Sequence, residues 1–289
     1  MARITVLVEN TASGQGVLAE HGLAFWLDVN GHRILFDTGQ GYALQKNARH
    51  MGIPLDTAEA LVLSHGHYDH TGGLAEIVAA EKTPPIFLHP DALGPKYARR
   101  PDGSGRYIGI PGLDEPFLRK KTRLVWTDGP TEICPGIHVT GPVPRQTDFE
   151  DVGGPFFVDS PCRKPDALPD DQALYLATQD GITVVLGCAH AGVVNTLLYI
   201  QQLTNDAPID TVIGGMHLVS ASPERVTKTV QEFRRLGIRR LMPCHCTGFP
   251  AMARLWNEFP EQYIPCHVGA TVTLDKHSAE PAAQITEQQ

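Results

Sequence analysis

The segment His65-Gly66-His67-Tyr68-Asp69-His70 constrains this chain more than any other. Three imidazoles and a carboxylate fall within six residues, directly after the apolar run Ala60-Leu61-Val62-Leu63-Ser64. A buried strand that ends in such a cluster delivers several metal ligands to one point. Imidazole nitrogen and carboxylate oxygen suit zinc, manganese or iron. In an extended turn, alternation aims His65 and His67 one way, and Asp69 and His70 can serve a second ion a few ångströms away. A solvated His-rich turn is the bland alternative, and four ligand-type residues at this spacing seldom arise for packing alone.

Three further histidines follow apolar strands. His190 comes after Thr183-Val184-Val185-Leu186, His217 after Thr211-Val212-Ile213, and His245 after Leu241-Met242-Pro243. Strand ends are where layered α/β proteins gather functional groups. His217 also follows Gly214-Gly215, where the backbone can pass close to a ligand or another strand. It is therefore read as a catalytic group facing substrate, alongside Asp69, rather than as a ligand. His32, His50, His89, His138, His267 and His277 have no partner motif. His21, after a Gly/Ser loop, is a candidate for substrate contact.

The pattern H-x-H-x-D-H resembles that of the metallo-β-lactamase superfamily. In order, Leu35-Phe36-Asp37-Thr38-Gly39, Ser64 to Gly73, Gly187-Cys188-Ala189-His190-Ala191-Gly192, Gly214-Gly215-Met216-His217-Leu218 and Cys244-His245-Cys246-Thr247-Gly248 are similar to one subfamily within it. That subfamily is the 7,8-dihydropterin-6-methyl-4-(β-D-ribofuranosyl)aminobenzene-5′-phosphate synthases, and the likeness spans about residues 4 to 275. It implies an α/β fold (α+β by some schemes): an αββα sandwich of two mixed sheets flanked by helices, with one or two metals at the sheet edge.

The chain departs from the wider superfamily twice. Ile137-His138-Val139-Thr140-Gly141-Pro142-Val143-Pro144-Arg145 has no histidine at the position that usually supplies the third ligand of the first metal. Cys188 stands where a bridging aspartate is common. His190 is the natural replacement ligand. The expected centre holds two divalent ions, zinc first, with manganese or iron as alternatives. His65, His67 and His190 surround one, and Asp69, His70 and His245 the other. Asp37 and Cys188 are expected just behind the ligands.

The rest of the chain supports a globular enzyme. It has 289 residues, 42% hydrophobic and 19% charged, enough for a large core. A single domain over 1–276 is expected, with a polar, disordered tail at 277–289. The net charge of −8 argues against nucleic acid or a membrane surface as partner. Met1 leads into Arg3-Ile4-Thr5-Val6-Leu7-Val8 without an apolar leader, and a cytoplasmic location is the default. The six cysteines read as free thiols. If His245 faces metal from an extended strand end, Cys244 and Cys246 face away.

Expected strands are 3–8, a hairpin of 24–29 and 33–36 around Asn30-Gly31, then 60–63, 86–88, 137–140, 173–177, 183–186, 211–213 and 240–242. Expected helices are 41–50, 74–80, 193–203, 223–236 and 251–259. Residues 91 to 121 are rich in Pro, Gly and Arg and read as an inserted loop. From Lys96 to Arg123 there are eight basic residues and three acidic ones. Arg99, Arg100 and Arg106, with Arg145 beyond a nearby strand, are thus candidates to bind an anionic small molecule.

Metal-activated hydrolysis of an ester or phosphoester is the generic chemistry of such a centre. The subfamily likeness implies instead transfer of a dihydropterin-methyl group from its diphosphate to an arylamine. A non-catalytic metal sensor is a further alternative. A flavodiiron-type redox site is disfavoured, because His67 stands where that type has Glu. The partner expected is a small, anionic substrate, and a homo-oligomer is compatible with the sequence.

Overall fold

The computed structural model describes residues 2–274. The expected tail, 277–289, lies outside the described residues. The chain opens with β1 (Ala2–Val8), β2 (Ala24–Val29) and β3 (His32–Phe36), then α1 (Leu44–His50) and β4 (Ala60–Val62). The single turn α2 (Tyr68–Thr71) and α3 (Leu74–Ala79) lead to β5 (Ile86–Leu88). Next come β6 (Tyr97–Arg99), β7 (Gly105–Tyr107), α4 (Glu115–Lys121), β8 (Leu124–Trp126), β9 (Thr131–Cys134), β10 (Ile137–Val139) and β11 (Phe156–Phe157). The second half carries β12 (Leu174–Thr178), β13 (Gly181–Leu186), α5 (Val193–Leu203), β14 (Ile209–Gly215), α6 (Pro223–Leu236), β15 (Arg240–Cys244), α7 (Phe249–Glu258) and β16 (Thr271–Thr273).

These strands form two large mixed sheets. One has the order β16-β1-β2-β3-β4-β5-β8, the other β15-β14-β13-β12-β10-β9. Period-two alternation gives each sheet two apolar faces. Phe25, Leu27, Ile34, Phe36 and Val62 of the first sheet meet Val139, Leu174, Val185, Ile213 and Met242 of the second in a core between them. The outer face of the first sheet, with Trp26, Leu35 and Leu61, packs on Leu44, Leu74, Ile77 and Leu118 of α1, α3 and α4. That of the second, with Val184, Val212 and Leu241, packs on Leu197, Phe233 and Leu255 of α5, α6 and α7. The result is the expected αββα layering.

Several expectations need correction. The segment 91–121 is not an irregular loop. Asp114 caps α4, its carboxylate accepting from the Phe117 amide at 2.8 Å with Pro116 in the first turn. β6 and β7 form a hairpin that β11 extends into a small third sheet. The short strands β8, β9 and β16 were also not foreseen, since three or four residues give little periodicity. β14 runs on through Gly214-Gly215, two residues past the expected end at 213. β15 runs on through Pro243, tolerated because β15 is an edge strand.

β3, β4 and β5 are mutually parallel, as are β13, β14 and β15. Their carboxyl ends point into one region at the rim of the sandwich, and the histidine-bearing segments leave from there.

Candidate metal centre

The 65–70 segment leaves β4 in a tight turn. Gly66 is required there: a Cβ would lie 2.1 Å from the Ala92 carbonyl oxygen. Four other chain segments turn sharply into the same space. Asp37 after β3, Ala189 after β13, His217 after β14 and His245 after β15 all have left-handed backbone, with φ of 59°, 53°, 46° and 52°. Such conformations are uncommon outside glycine and cluster at functional sites.

His65, His67 and His190 present donor atoms all within 4.8 Å of one another, and all three are buried. His65 Nε2 lies 2.9 Å from His67 Nδ1. His65 Nδ1 lies 2.8 Å from Ser64 Oγ, whose hydroxyl donates to Asp37 Oδ2 at 2.7 Å. His190 Nδ1 is held by the Val152 carbonyl at 2.9 Å, which leaves Nε2 facing the cluster without a partner. Asp37, expected behind a ligand histidine, lies 2.7 Å from His70 Nδ1, and His70 Nε2 is 3.1 Å from Cys188 Sγ.

The second expected trio is not gathered as such. Asp69 and His245 group with His21, whereas His70 groups with His65 and Cys188. Asp69 Oδ2 is 3.2 Å from His21 Nε2 and 3.5 Å from His245 Nε2. The reason is local: Tyr68–Thr71 is a helical turn, so Asp69 and His70 diverge instead of alternating. Cys246 corrects another expectation. Residues 245–247 form a 3₁₀ turn rather than a strand end, so Cys246 turns inward beside His245. Cys244 does face away, into the core between the sheets.

Burial, then the neighbouring imidazoles, lowers His65 and His190 well below the ordinary histidine range. Burial pulls His67 down to about 3. Burial alone would lower His70 too, but the Asp37 carboxylate outweighs it and pushes His70 up to about 9. Burial would raise Asp69, yet hydrogen bonds from His21 and His245 hold it well down. Cys246 beside His217 more than offsets the burial that would lower His217, raising it. The His65–His67–His190 set is thus neutral, as metal binding demands. Buried His67 Nε2 and His190 Nε2 have no hydrogen-bond partner, and His245 Nε2 has only Asp69 Oδ2, at 3.5 Å. Orphaned buried nitrogens cost free energy that a cation would recover, so the residues present fit a divalent ion.

A cleft of about 370 Å³ opens over this floor. His21, Asp69, His217 and Arg106 line it, together with Tyr68, Ile108, Phe156, Phe249 and Met252. Gly215 permits the close packing beneath, since a Cβ there would meet Gly187 O at 2.4 Å and Cys246 Sγ at 2.6 Å. The other expected anion-binding residues are engaged elsewhere. Arg99 stacks on Phe157, 4.3 Å from the ring centre, and donates to the Cys162 carbonyl. Arg100 lies on the exposed turn of the β6–β7 hairpin. Arg145 donates to the carbonyls of His190 and Ala167, bracing the loop rather than meeting the cleft. Lys96, counted with the basic insert, is buried between Asp166 at 3.1 Å and Asp170 at 2.8 Å.

Sequence reasoning missed several contributors. Glu9 accepts from the His245 amide at 2.8 Å, and Asn10 Oδ1 lies 2.9 Å from His245 Nδ1. Asp170 accepts from the Gly66 amide at 2.8 Å. Glu150 caps α5 through the amides of Val194 and Asn195. Each sits in a loop without periodicity. The one signal available was a buried-looking acid directly after a strand, as at Glu9.

The fold and site are those of a metallo-β-lactamase-type metalloprotein. The metallo-β-lactamase superfamily pattern matches residues 18–245, and the chain belongs to that superfamily. It is 30% identical over 265 residues to the 7,8-dihydropterin-6-methyl-4-(β-D-ribofuranosyl)-aminobenzene-5′-phosphate synthase of Methanocaldococcus jannaschii, covering 88% of this chain and 90% of that protein. It is 35% identical over 273 residues to MJ0448, an uncharacterized protein of the same organism, covering 94% and 100%. Among solved structures, Tm1679, described as a metal-dependent hydrolase of the β-lactamase superfamily, superposes with a TM-score of 0.82 at 31% identity, covering 96% and 100%. The superfamily fold implies divalent metal binding. No helix among the described residues is long and apolar enough to cross a membrane.

Proposed function

We propose that this protein is a metal-dependent hydrolase that cleaves an ester or phosphoester bond of a small, partly apolar, anionic substrate. The observation that carries the reading is the convergence of the His65, His67 and His190 donor atoms on the floor of an open cleft. A divalent ion held there would supply water activated at neutral pH and polarise the scissile group. The side chains account for the rest. Tyr68, Ile108 and Phe156 offer apolar contact to the substrate body, and Arg106 offers a positive charge at the rim. Asp69, held ionised, can orient a proton donor through His21 and His245. His217, whose affinity for a proton is raised, suits donation to a leaving group.

Transfer of a dihydropterin-methyl group to an arylamine is the second reading. It is favoured by the relative whose name carries that synthase activity, similar over 88% of this chain. The two differ in the nucleophile. Turnover of a generic phosphodiester should appear on adding zinc, manganese or iron, vanish with chelator, and place labelled oxygen from solvent in the product. His190→Ala should lose metal and turnover together. Metal-dependent turnover only with an arylamine present, and no label from solvent, would replace hydrolysis by transfer.

A further inference from the structure

Between β10 and β11 the chain forms neither helix nor strand, yet Glu150, Val152 and Gly153 each meet a segment that carries a site histidine. The Glu150 carboxylate accepts from the Val194 and Asn195 amides, just beyond His190. The Val152 carbonyl holds His190 Nδ1 at 2.9 Å. Gly153 packs on His217, so closely that a Cβ would lie 1.8 Å from His217 Cδ2. The His190 and His217 rings are themselves 4.2 Å apart between centres. Asp151 ties this turn together. It accepts at Oδ1 from the Gly153 amide at 2.8 Å and from Arg225 Nη1 at 2.7 Å.

Arg225 stands in the first turn of α6, with 4% of its side chain exposed. Its Nε and Nη2 are buried and have no hydrogen-bond partner among the described residues. Burying a guanidinium so incompletely matched costs stability. The Asp151 side chain is 75% exposed, and an ion pair wetted on one side offsets little of that cost. Stability therefore does not explain a cation here. Its place does. Neither Arg225 nor Asp151 lines the cleft, but the turn they fix makes the contacts that hold His190 and His217.

We infer that Arg225 is a positioning residue: acting through Asp151, it sets the 151–153 turn, and that turn fixes the His190 ring through the Val152 carbonyl and the place of His217 against Gly153. The inference rests on the metal-dependent reading above and adds a device outside the cleft that governs its geometry. Held by the Val152 carbonyl, His190 donates through Nδ1 and keeps Nε2 free for a cation. Without the Arg225–Asp151 tie the turn drifts, and both rings lose their support. A displacement of about 1 Å can cost about 10²-fold in rate. Glu150 still holds the loop to α5, so the disturbance stays local.

Titrating metal-stripped protein with cobalt(II) against a competing chelator tests this without an activity assay. Asp151→Ala should bind cobalt about 10-fold more weakly, the low end for a lost outer partner. Its Tm should fall by only about 2 °C, as suits a pair exposed on one side. At saturating metal its kcat on a generic phosphodiester should fall about 10- to 100-fold, with KM within about twofold of wild type. Asp151→Asn keeps an acceptor for both Gly153 and Arg225 and should stay within about threefold of wild type in each quantity. Arg225→Met, and the double variant with Asp151→Ala, should match Asp151→Ala alone, because the two residues act as one unit. Lys228→Met, which loosens a wetter tie from α6 to Asp148, should change neither affinity nor kcat. Folded Asp151→Ala with wild-type cobalt affinity and kcat would overturn the positioning role and leave the metal reading standing. So would losses that multiply in the double variant. Wild-type protein that binds neither cobalt nor zinc would overturn both.

Discussion

Lys96→Met tests how the insert supports the metal loop. Lys96 Nζ bridges Asp166 and Asp170 with 2% of the residue exposed, and Asp170 holds the Gly66 amide between His65 and His67. Methionine matches the length of the stem but leaves two carboxylates buried together without a cation. Breaking a buried ion pair from one side costs about 3–5 kcal/mol. With an unfolding entropy of about 2.1 cal/mol/K per residue over roughly 270 ordered residues, that lowers Tm by about 5–9 °C. Gly66 should also lose its restraint as Asp170 takes on water or a proton, weakening metal binding by about 10- to 100-fold, the usual effect of a lost outer partner. Calorimetry and a competitive chelator titration measure the two quantities. Lys120→Met, on an exposed face of α4, is the control. A Tm within 1–2 °C of wild type, with unchanged metal affinity, would refute the argument that this ion pair braces the site.

His217→Ala should keep the fold and metal at the nitrogen set while kcat falls by about 10²- to 10⁴-fold, read by metal analysis beside steady-state kinetics. Unchanged kcat would make the residue structural. Arg106→Glu should raise KM for a phosphorylated substrate more than for a neutral ester, whereas Arg100→Glu should change neither; equal effects of Arg106→Glu on both substrates would remove it from the binding face. Acid should destabilise the metal-free chain. His67 is held at about 3 when folded against about 6.5 unfolded, so its contribution is present above pH 6.5 and lost as pH falls through that value, by about 1.4 kcal/mol per unit. His70, raised to about 9, works the other way, its contribution draining as pH rises from 6.5 to 9. Tm of the stripped protein should peak near neutrality and fall on both sides, and His67→Asn should flatten the acid limb. A Tm that keeps climbing as pH falls below about 6.5 contradicts the His67 assignment, and one that does not fall as pH rises from about 6.5 to 9 contradicts that of His70.

The long elements were legible for two reasons: α5 and α6 bury one face at helical spacing, and β1, β2 and β13, buried on both faces, read as near-continuous runs of Val, Ile, Leu and Phe. The short pieces were not. β6, β7 and β11 owe their existence to pairing with one another, a non-local fact that three-residue runs such as Tyr97-Ala98-Arg99 do not encode. The misreading of Arg99 and Arg145 has a related cause. Composition registers that a segment is basic, but not that one guanidinium is spent on an aromatic ring and another on backbone carbonyls. Lys96 is the sharpest case, since its charge is cancelled by acids about seventy residues further along the chain.

The ligand geometry failed at a different level. Alternation is the right rule for a strand, and its outcome held for His65 and His67, whose donor atoms lie together although the chain turns tightly after β4. It failed at Asp69-His70 and at His245-Cys246, where the backbone had already left the strand. In the first case a helical turn splits two adjacent side chains between different partners. In the second a left-handed residue, His245 at φ 52°, swings the next side chain back toward the site. A left-handed non-glycine residue costs about 1–3 kcal/mol, and four chain segments bear that cost at this one rim. What they gain is convergence: Asp37, His190, His217 and the His245-Cys246 pair arrive from four loops at a spot that straight strands would overshoot. The sulfur at position 188 matters for the same reason. Placed two residues before His190, with left-handed Ala189 between them, it meets imidazoles from both sheets.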